Sequence, residues 1–206
     1  MANDPDRPPV GPDANGAAAI LTAGRIAKEG SLMPVEDLGS RQLAALGQVG
    51  SRLESGDIAY WLFGGWAVDF YAGSITRVHD DVDIAIWLKD LQRITKLLES
   101  DGWRHAPAED EDGGTGYEHG DVRLELTYLT RNADGDVFIP LRNGPVRWAK
   151  ESFADDVREL SGVRARVITL ASLKSMKSWP RDDPEDAAKD RADLAALPSA
   201  WGGDAG

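Results

Sequence analysis

The chain has no cysteine among its 206 residues. This absence excludes disulfide bonds, thiolate metal sites and cysteine nucleophiles, and it is typical of proteins from a reducing compartment. No apolar run reaches the roughly 20 residues that a membrane-spanning helix needs. Residues 1–12 carry acids and prolines and lack the basic start and apolar middle of a signal peptide. We therefore predict a soluble cytoplasmic protein with no membrane partner.

Positive charge is also scarce. Lysine and arginine number 23 against 35 aspartates and glutamates, which gives a formal net charge of −12. An acidic surface repels phosphate backbones and attracts cations, so nucleic acid is an unlikely principal partner. Acidity also commonly serves solubility alone, so the charge ranks hypotheses without establishing one. No pattern in the sequence predicts an oligomeric state.

The composition, with 42 % hydrophobic residues, is sufficient for one domain with a sizeable core. We predict a loosely structured leader over 1–33, a domain over 34–197 that becomes helical from about residue 169, and a flexible tail over 198–206. Helices are predicted at 34–55, 66–71, 90–100, 170–178 and 185–197, strands at 59–63, 81–87, 103–106, 117–119, 122–129 and 164–168, an acidic loop at 107–116, and irregular structure at 130–162. This order predicts a mixed α/β or α+β fold.

Two aspartates stand one residue apart in the second predicted strand. Side chains alternate across a strand, so Asp81 and Asp83 share one face while Val82, Ile84 and Ile86 take the other. Two partly buried, unpaired carboxylates repel each other, and a divalent cation removes that repulsion. Hard oxygen ligands suit Mg²⁺, which commonly also binds substrate phosphates. The alternatives are that the pair faces water, or that it pairs with Arg77 or Arg123.

Two further features strengthen the metal hypothesis. Glu125 interrupts another apolar strand, and it joins the two aspartates if that strand lies beside theirs. Gly64-Gly65 links a buried strand to the start of a helix, where glycine allows close backbone approach and free N–H groups can bind an anion. Together these features indicate a site for a metal ion and a phosphate group.

The residues that carry these features also match a known family pattern. The stretch G-G-W-A-V-D at 64–69, followed by G-S-I-T-R-V-H-D-D-V-D-I at 73–84, resembles the aminoglycoside-2''-adenylyltransferase-like group of the nucleotidyltransferase superfamily. The apolar–acid–apolar stretch around Glu125, the lysines Lys174 and Lys177, and K-D-R-A-D-L at 189–194 fit the later and looser parts of the pattern. The resemblance covers about residues 35–197.

The resemblance implies a polymerase-beta-like nucleotidyltransferase fold, in the α+β class, with a mixed sheet flanked by helices and a helical C-terminal part. It implies Mg²⁺-dependent transfer of AMP from ATP, the co-substrate, to a hydroxyl of a small cationic acceptor such as an aminoglycoside, and hence antibiotic resistance. Asp81, Asp83 and Glu125 are the expected catalytic residues and ligands of one or two Mg²⁺ ions, with Glu125 alternatively a general base. The expected nucleotide-binding residues are Gly64, Gly65, Arg77, Lys174 and Lys177, although each lysine fits an exposed helix face equally well.

The sequence departs from the pattern at two positions. Many superfamily members have serine where this chain has Gly65, and the third acid is Glu125 where aspartate is expected. Two other functions remain open, namely modification of a macromolecule such as tRNA or a protein by a toxin-like enzyme, and a non-catalytic nucleotide-binding relative. The net charge argues against tRNA, and the intact acids argue against a non-catalytic protein.

Overall fold

The computed structural model describes residues 35–108 and 112–198. The predicted leader, residues 109–111 of the predicted acidic loop and the tail from residue 199 lie outside the described residues. The described helices are α1 Val35–Ser55, α2 Gly64–Ala72, α3 Leu91–Ser100, α4 Leu170–Lys177 and α5 Pro184–Ala196. The described strands are β1 Tyr60–Leu62, β2 Val82–Trp87, β3 Arg104–His105, β4 Gly114–His119, β5 Val122–Arg131, β6 Val137–Ile139, β7 Val146–Trp148, β8 Asp156–Leu160 and β9 Val163–Val167.

The strands form a mixed sheet, as predicted. Its order is β3-β4-β5-β2-β1-β9-β8, and β6 and β7 extend from the end of β5. Strand β2 runs parallel to β5 and β1 runs parallel to β9, whereas the other pairs are antiparallel. The central strands β1 and β2 therefore each lie between two neighbouring strands.

The core lies on the central strands. Leu62, Ile84, Ile86 and Val167 are completely buried, which confirms the predicted alternation along β2. Burying such side chains contributes roughly 1.5–3 kcal/mol each relative to exposure. The rigid strands they hold in place also carry the acids. Among the described helices, none is both long and apolar enough to cross a membrane.

Residues 130–162, predicted to be irregular, contain β6, β7 and β8. Strands of three to five residues are too short to show a clear alternation, and these were missed for that reason. The predicted loop over 107–116 ends early, because residues Gly114–Gly116 belong to β4. A side chain at Gly114 would lie 2.5 Å from the backbone oxygen of Leu126 on β5, so glycine here permits strand pairing rather than a turn.

Helix ends agree in position with the sequence prediction at most sites. Helix α2 is an exception, since it begins at Gly64 rather than Trp66 and takes both glycines into its first turn. Gly73 ends the same helix with a left-handed φ of 74°. Asp183 caps α5 by accepting from the N–H groups of Glu185 and Asp186 at 2.8 and 3.4 Å.

Candidate active site

The pairing of β2 with β5 brings the predicted acids to one place. Asp83 and Glu125 are register partners in this parallel pair, and the side chains of register partners share one face of a sheet. Asp81 stands two residues before Asp83, so its side chain points to the same face. The expected proximity of the two strands is therefore confirmed.

The third acid is nevertheless held by an arginine. The Nε of Arg123 donates to Oε1 of Glu125 at 2.5 Å, and Nη1 of Arg123 lies 3.2 Å from Oε1 of Glu118. Arg123 lies over Gly116, where any side chain would come within 2.5 Å of its Nη2. Among the described residues, no three histidine, cysteine or acidic side chains come together closely enough to hold a metal ion. The site thus consists of two aspartates and a nearby glutamate whose carboxylate is bound by Arg123.

The two aspartates lie where a negative charge is unfavourable. Burial raises the pKa of Asp83 well above its usual range, and the charges of Asp81 and Glu125 raise it further. Burial and the charge of Asp80 raise the pKa of Asp81. Within the part of the chain that the structure describes, neither carboxylate accepts a hydrogen bond or lies in an ion pair. A divalent cation with oxygen preference fits two such carboxylates, because it supplies the missing opposite charge.

Gly64 is required by the aspartate beside it. Its φ is +67°, and a Cβ at this position would lie 2.1 Å from Oδ2 of Asp83. The N–H of Phe63 donates to the backbone oxygen of Asp83 at 3.1 Å, which fixes the start of α2 against β2. Phe63 occupies the N-cap position of α2 and makes no side-chain capping bond. The first N–H groups of the helix therefore lie next to the aspartates without an intrahelical partner.

The connection between α2 and β2 is fixed by a buried histidine. Nε2 of His79 lies 2.6 Å from Oδ2 of Asp69, and the ring of Trp66 packs against the imidazole with centroids 4.8 Å apart. Asp69 also accepts from the backbone N–H and the hydroxyl of Thr76, at 3.0 and 2.5 Å. Gln42 on α1 donates to the backbone oxygen of His79 at 3.0 Å. These contacts hold the loop that leads into the aspartate pair.

The predicted phosphate-binding cations do not all lie together. Arg77 and Lys177 meet at Asp193, to which Arg77 donates at 2.9 and 3.1 Å and Lys177 lies at 2.7 Å. Lys177 is buried, which excludes the exposed-face alternative for this residue. Lys174 donates instead to the backbone oxygen of Pro198.

Sequence reasoning did not single out Asp193 or the neighbouring Asp190 as partners of these cations. Both acids are buried, at 1 % and 5 % exposure, on a helix that the sequence predicted. Because they are three residues apart, both acids lie on one face of α5. Two acids on one helix face that no apolar stripe accounts for were the signal in the sequence that could have identified them.

Most of the chain matches a known family. The family model described as aminoglycoside-2''-adenylyltransferase matches residues 45–197, about three quarters of the chain. A lincosamide resistance protein of Staphylococcus haemolyticus is 38 % identical over 47 residues, which span 23 % of this chain and 29 % of that relative. The match thus covers less than a third of the relative's length.

Two solved structures resemble the whole described domain. The lincomycin-bound lincosamide adenylyltransferase LnuA matches with a TM-score of 0.59 and 19 % identity, over 76 % of this chain and 97 % of the other. ANT(2'')-Ia, in complex with adenylyl-2''-tobramycin, matches with a TM-score of 0.59 and 20 % identity, over 77 % and 90 %. At this identity the likeness shows the fold alone, and it confirms the predicted nucleotidyltransferase fold.

Proposed function

The chain belongs to the aminoglycoside-2''-adenylyltransferase family of nucleotidyltransferase enzymes, and on this premise we propose that it transfers AMP from ATP to a hydroxyl of a small cationic antibiotic. The observation that carries the proposal is the register of Asp83 with Glu125 beside the glycine start of α2. That arrangement brings two aspartates, a glutamate and a glycine helix start to one face of the sheet, and this supports a site for a metal ion and a triphosphate.

Asp81 and Asp83 would hold one or two Mg²⁺ ions. The fit rests on the two desolvated carboxylates, which have no cationic partner within salt-bridge distance among the described residues. When bound, Mg²⁺ neutralises the triphosphate and stabilises the leaving pyrophosphate. Held at the start of the central strand β2, the two aspartates would keep the bound ion and its triphosphate in a fixed position.

The phosphate side of the site is the start of α2. Backbone N–H groups of Gly64 and Gly65 are available there, and the absence of side chains permits a phosphate to approach closely. Arg77 and Lys177 add positive charge behind the glycines. Lys174 is included among the proposed phosphate-binding residues only because it lies on α4, one turn before Lys177.

Glu125 would accept the proton from the attacking hydroxyl. Its ion pair with Arg123 fixes the direction of its carboxylate. In this position it acts as a general base, and the two aspartates act as the metal ligands. The hydroxyl oxygen then attacks the α-phosphorus, pyrophosphate leaves from the opposite side, and the proton remains on the Glu125 carboxylate.

The acceptor class follows from charge and from the relatives. A net charge of −12 attracts amine-bearing molecules. One of the two similar structures is a complex with adenylyl-2''-tobramycin, and the other is bound to lincomycin. We propose an aminoglycoside-type acceptor, and the match of 47 residues to a lincosamide resistance protein favours lincosamides as a second candidate class.

The test is release of pyrophosphate from Mg²⁺-ATP with aminoglycosides and lincosamides supplied one at a time. Release with one class, together with a product that has gained one adenylyl group by mass spectrometry, supports the proposal. Asp83→Asn is expected to abolish release, and Asp101→Asn, an exposed acid paired with Arg52, serves as the matched control. If neither class supports release while ATP still binds, a macromolecular acceptor or a binding-only protein replaces the proposal.

A further inference from the structure

Asp193 is a buried acid that joins distant parts of the chain. It is 1 % exposed and lies on α5, yet it accepts two hydrogen bonds from Arg77, 116 positions earlier in the sequence. Lys177 on α4 lies 2.7 Å from Oδ2, the oxygen that also accepts from Nη2 of Arg77. An isolated buried carboxylate is strongly unfavourable, and these two cations offset its charge.

Arg77 is oriented by this contact and still has donors to spare. A guanidinium carries five N–H donors. In the described structure three of them are used, two by Asp193 and one by the backbone oxygen of Val78 at 2.9 Å. Two donors therefore remain on the part of the guanidinium that does not face Asp193.

The same guanidinium lies against the glycine turn. Its Nη2 is 2.5 Å from the point where a Cβ on Gly65 would stand. Gly65 lies in the first turn of α2, directly after Gly64, whose Cβ would lie 2.1 Å from Oδ2 of Asp83. Arg77 is thus held at the edge of the anion-binding helix start by an acid from the other end of the domain.

From these contacts we propose that Asp193 is a positioning residue for the nucleotide: it fixes Arg77 over Gly65 so that the two remaining N–H donors meet a phosphate oxygen of ATP. The inference rests on the proposed function, because it assigns the triphosphate to the start of α2. It goes beyond that function by giving the C-terminal helix a part in nucleotide binding, through an acid that touches no substrate.

Asp190 supplies a matched comparison. It lies three residues before Asp193 on α5, is also buried, and also binds two cations, Lys177 at 2.9 Å and Arg181 at 2.5 Å. Lys177 contacts both acids, so neutralising either one leaves it with the other as its carboxylate partner. The difference between them is that only Asp193 binds Arg77.

The experiment measures the dissociation constant of Mg²⁺-ATP by calorimetry for wild type, Asp193→Asn and Asp190→Asn. Both variants are expected to lower Tm, since each loses a buried ion pair. Asp193→Asn is expected to weaken ATP binding about tenfold, because an oriented charge-assisted hydrogen bond is lost. Asp190→Asn is expected to weaken it less than about threefold, which is about the effect of losing one hydrogen bond between uncharged groups. In turnover, the KM for ATP rises in Asp193→Asn while the KM for the acceptor does not.

Two further variants make the result decisive even if Asp193→Asn folds poorly. Arg77→Lys keeps the charge but cannot make the two parallel bonds, so it is expected to lose as much ATP affinity as Asp193→Asn. Asp193→Glu, which restores the carboxylate, is expected to recover part of the affinity. Equal weakening in Asp190→Asn and Asp193→Asn, or unchanged affinity in Arg77→Lys, overturns the inference.

The binding measurement also separates this inference from the proposed function. ATP affinity that depends on Asp193 while no acceptor is modified supports the positioning role and refutes the acceptor assignment. Turnover with an acceptor, combined with ATP affinity indifferent to Asp193, does the reverse. A wild-type protein that fails to bind Mg²⁺-ATP overturns both.

Discussion

Replacing Asp83 with asparagine should abolish activity and yet stabilise the metal-free protein. Most substitutions at partly buried central-strand positions destabilise. Asp83 differs because its carboxylate is desolvated, lies near the acids Asp81 and Glu125, and accepts no hydrogen bond from the described residues. Asparagine has nearly the same shape and carries no charge. Its amide can also donate to a neighbouring carboxylate oxygen, so the repulsion is replaced by an attraction.

The size of the effect follows from strand geometry. Register partners on adjacent strands are about 4.8 Å apart and alternate residues on one strand about 6.6 Å. At an effective dielectric constant of about 20, unit charges at these spacings repel by about 3.5 and 2.5 kcal/mol. These are upper limits, because Arg123 offsets the charge of Glu125 and because Asp83 can take up a proton. A net gain of about 1–2 kcal/mol is expected, which raises Tm by about 2–8 °C in a domain of this size.

The assay compares thermal unfolding of wild type and Asp83→Asn at neutral pH in EDTA, and again with Mg²⁺ and ATP. In EDTA the variant should melt at the higher temperature. Mg²⁺ and ATP should raise Tm of the wild type only, so that the difference shrinks or reverses. Asp101→Asn, on the surface, should leave Tm nearly unchanged. A lower Tm for Asp83→Asn in EDTA would refute the electrostatic reasoning, and retained turnover would refute the metal assignment.

Three other substitutions or conditions test the remaining contacts. Gly65→Ser should lower stability by about 1–3 kcal/mol in urea unfolding, because its Cβ would lie 2.4 Å from Nδ1 of the buried His79; an unchanged midpoint contradicts the close approach. Arg123→Gln should lower kcat about 10- to 100-fold with little change in the KM for ATP, since Glu125 loses its orienting partner; an unchanged kcat rules out that role. The pKa of Asp193 is lowered, because hydrogen bonds and charges from its cations outweigh burial, so its contribution to stability is present above about pH 4 and lost as the pH falls further. Urea unfolding between about pH 3 and 7 should therefore show a shallower acid loss for Asp193→Asn, and equal slopes would contradict the ion pair.

Local patterns allowed much of the framework to be predicted from sequence. The alternation of Val82, Ile84 and Ile86 with acids was sufficient to predict β2 and its core face. The strands predicted at 117–119 and 122–129 are both present and pair antiparallel across the connection at Gly120 and Asp121. Three-residue strands such as β6 escaped because they are shorter than the period needed to recognise them. Gly114 was predicted to lie in a loop although it belongs to a strand. It is glycine because the backbone of β5 approaches it closely, and the sequence alone does not show that approach.

The sequence predicted which acids lie at the site, but it did not predict the ion pairs that the charged residues around them form. Asp83 and Glu125 were expected to meet if two strands paired, and the register confirms that they do. The pairing of Arg77 with Asp193 joins positions 116 residues apart, and no local spacing connects them. Long-range ion pairs depend on how helices pack against the sheet, which is a tertiary property. For the same reason the sequence left the nucleotide-binding and exposed positions of Lys177 equally open.

The two departures from the family pattern each have an arginine as neighbour. At Gly65, where serine is common in the superfamily, the space a side chain would need is taken by the Arg77 guanidinium. At Glu125, where aspartate was expected, Arg123 bonds the carboxylate and fills the space over Gly116. Both departures are thus accommodated by an adjacent arginine: Arg77 occupies the space beside Gly65, and Arg123 binds the longer carboxylate of Glu125.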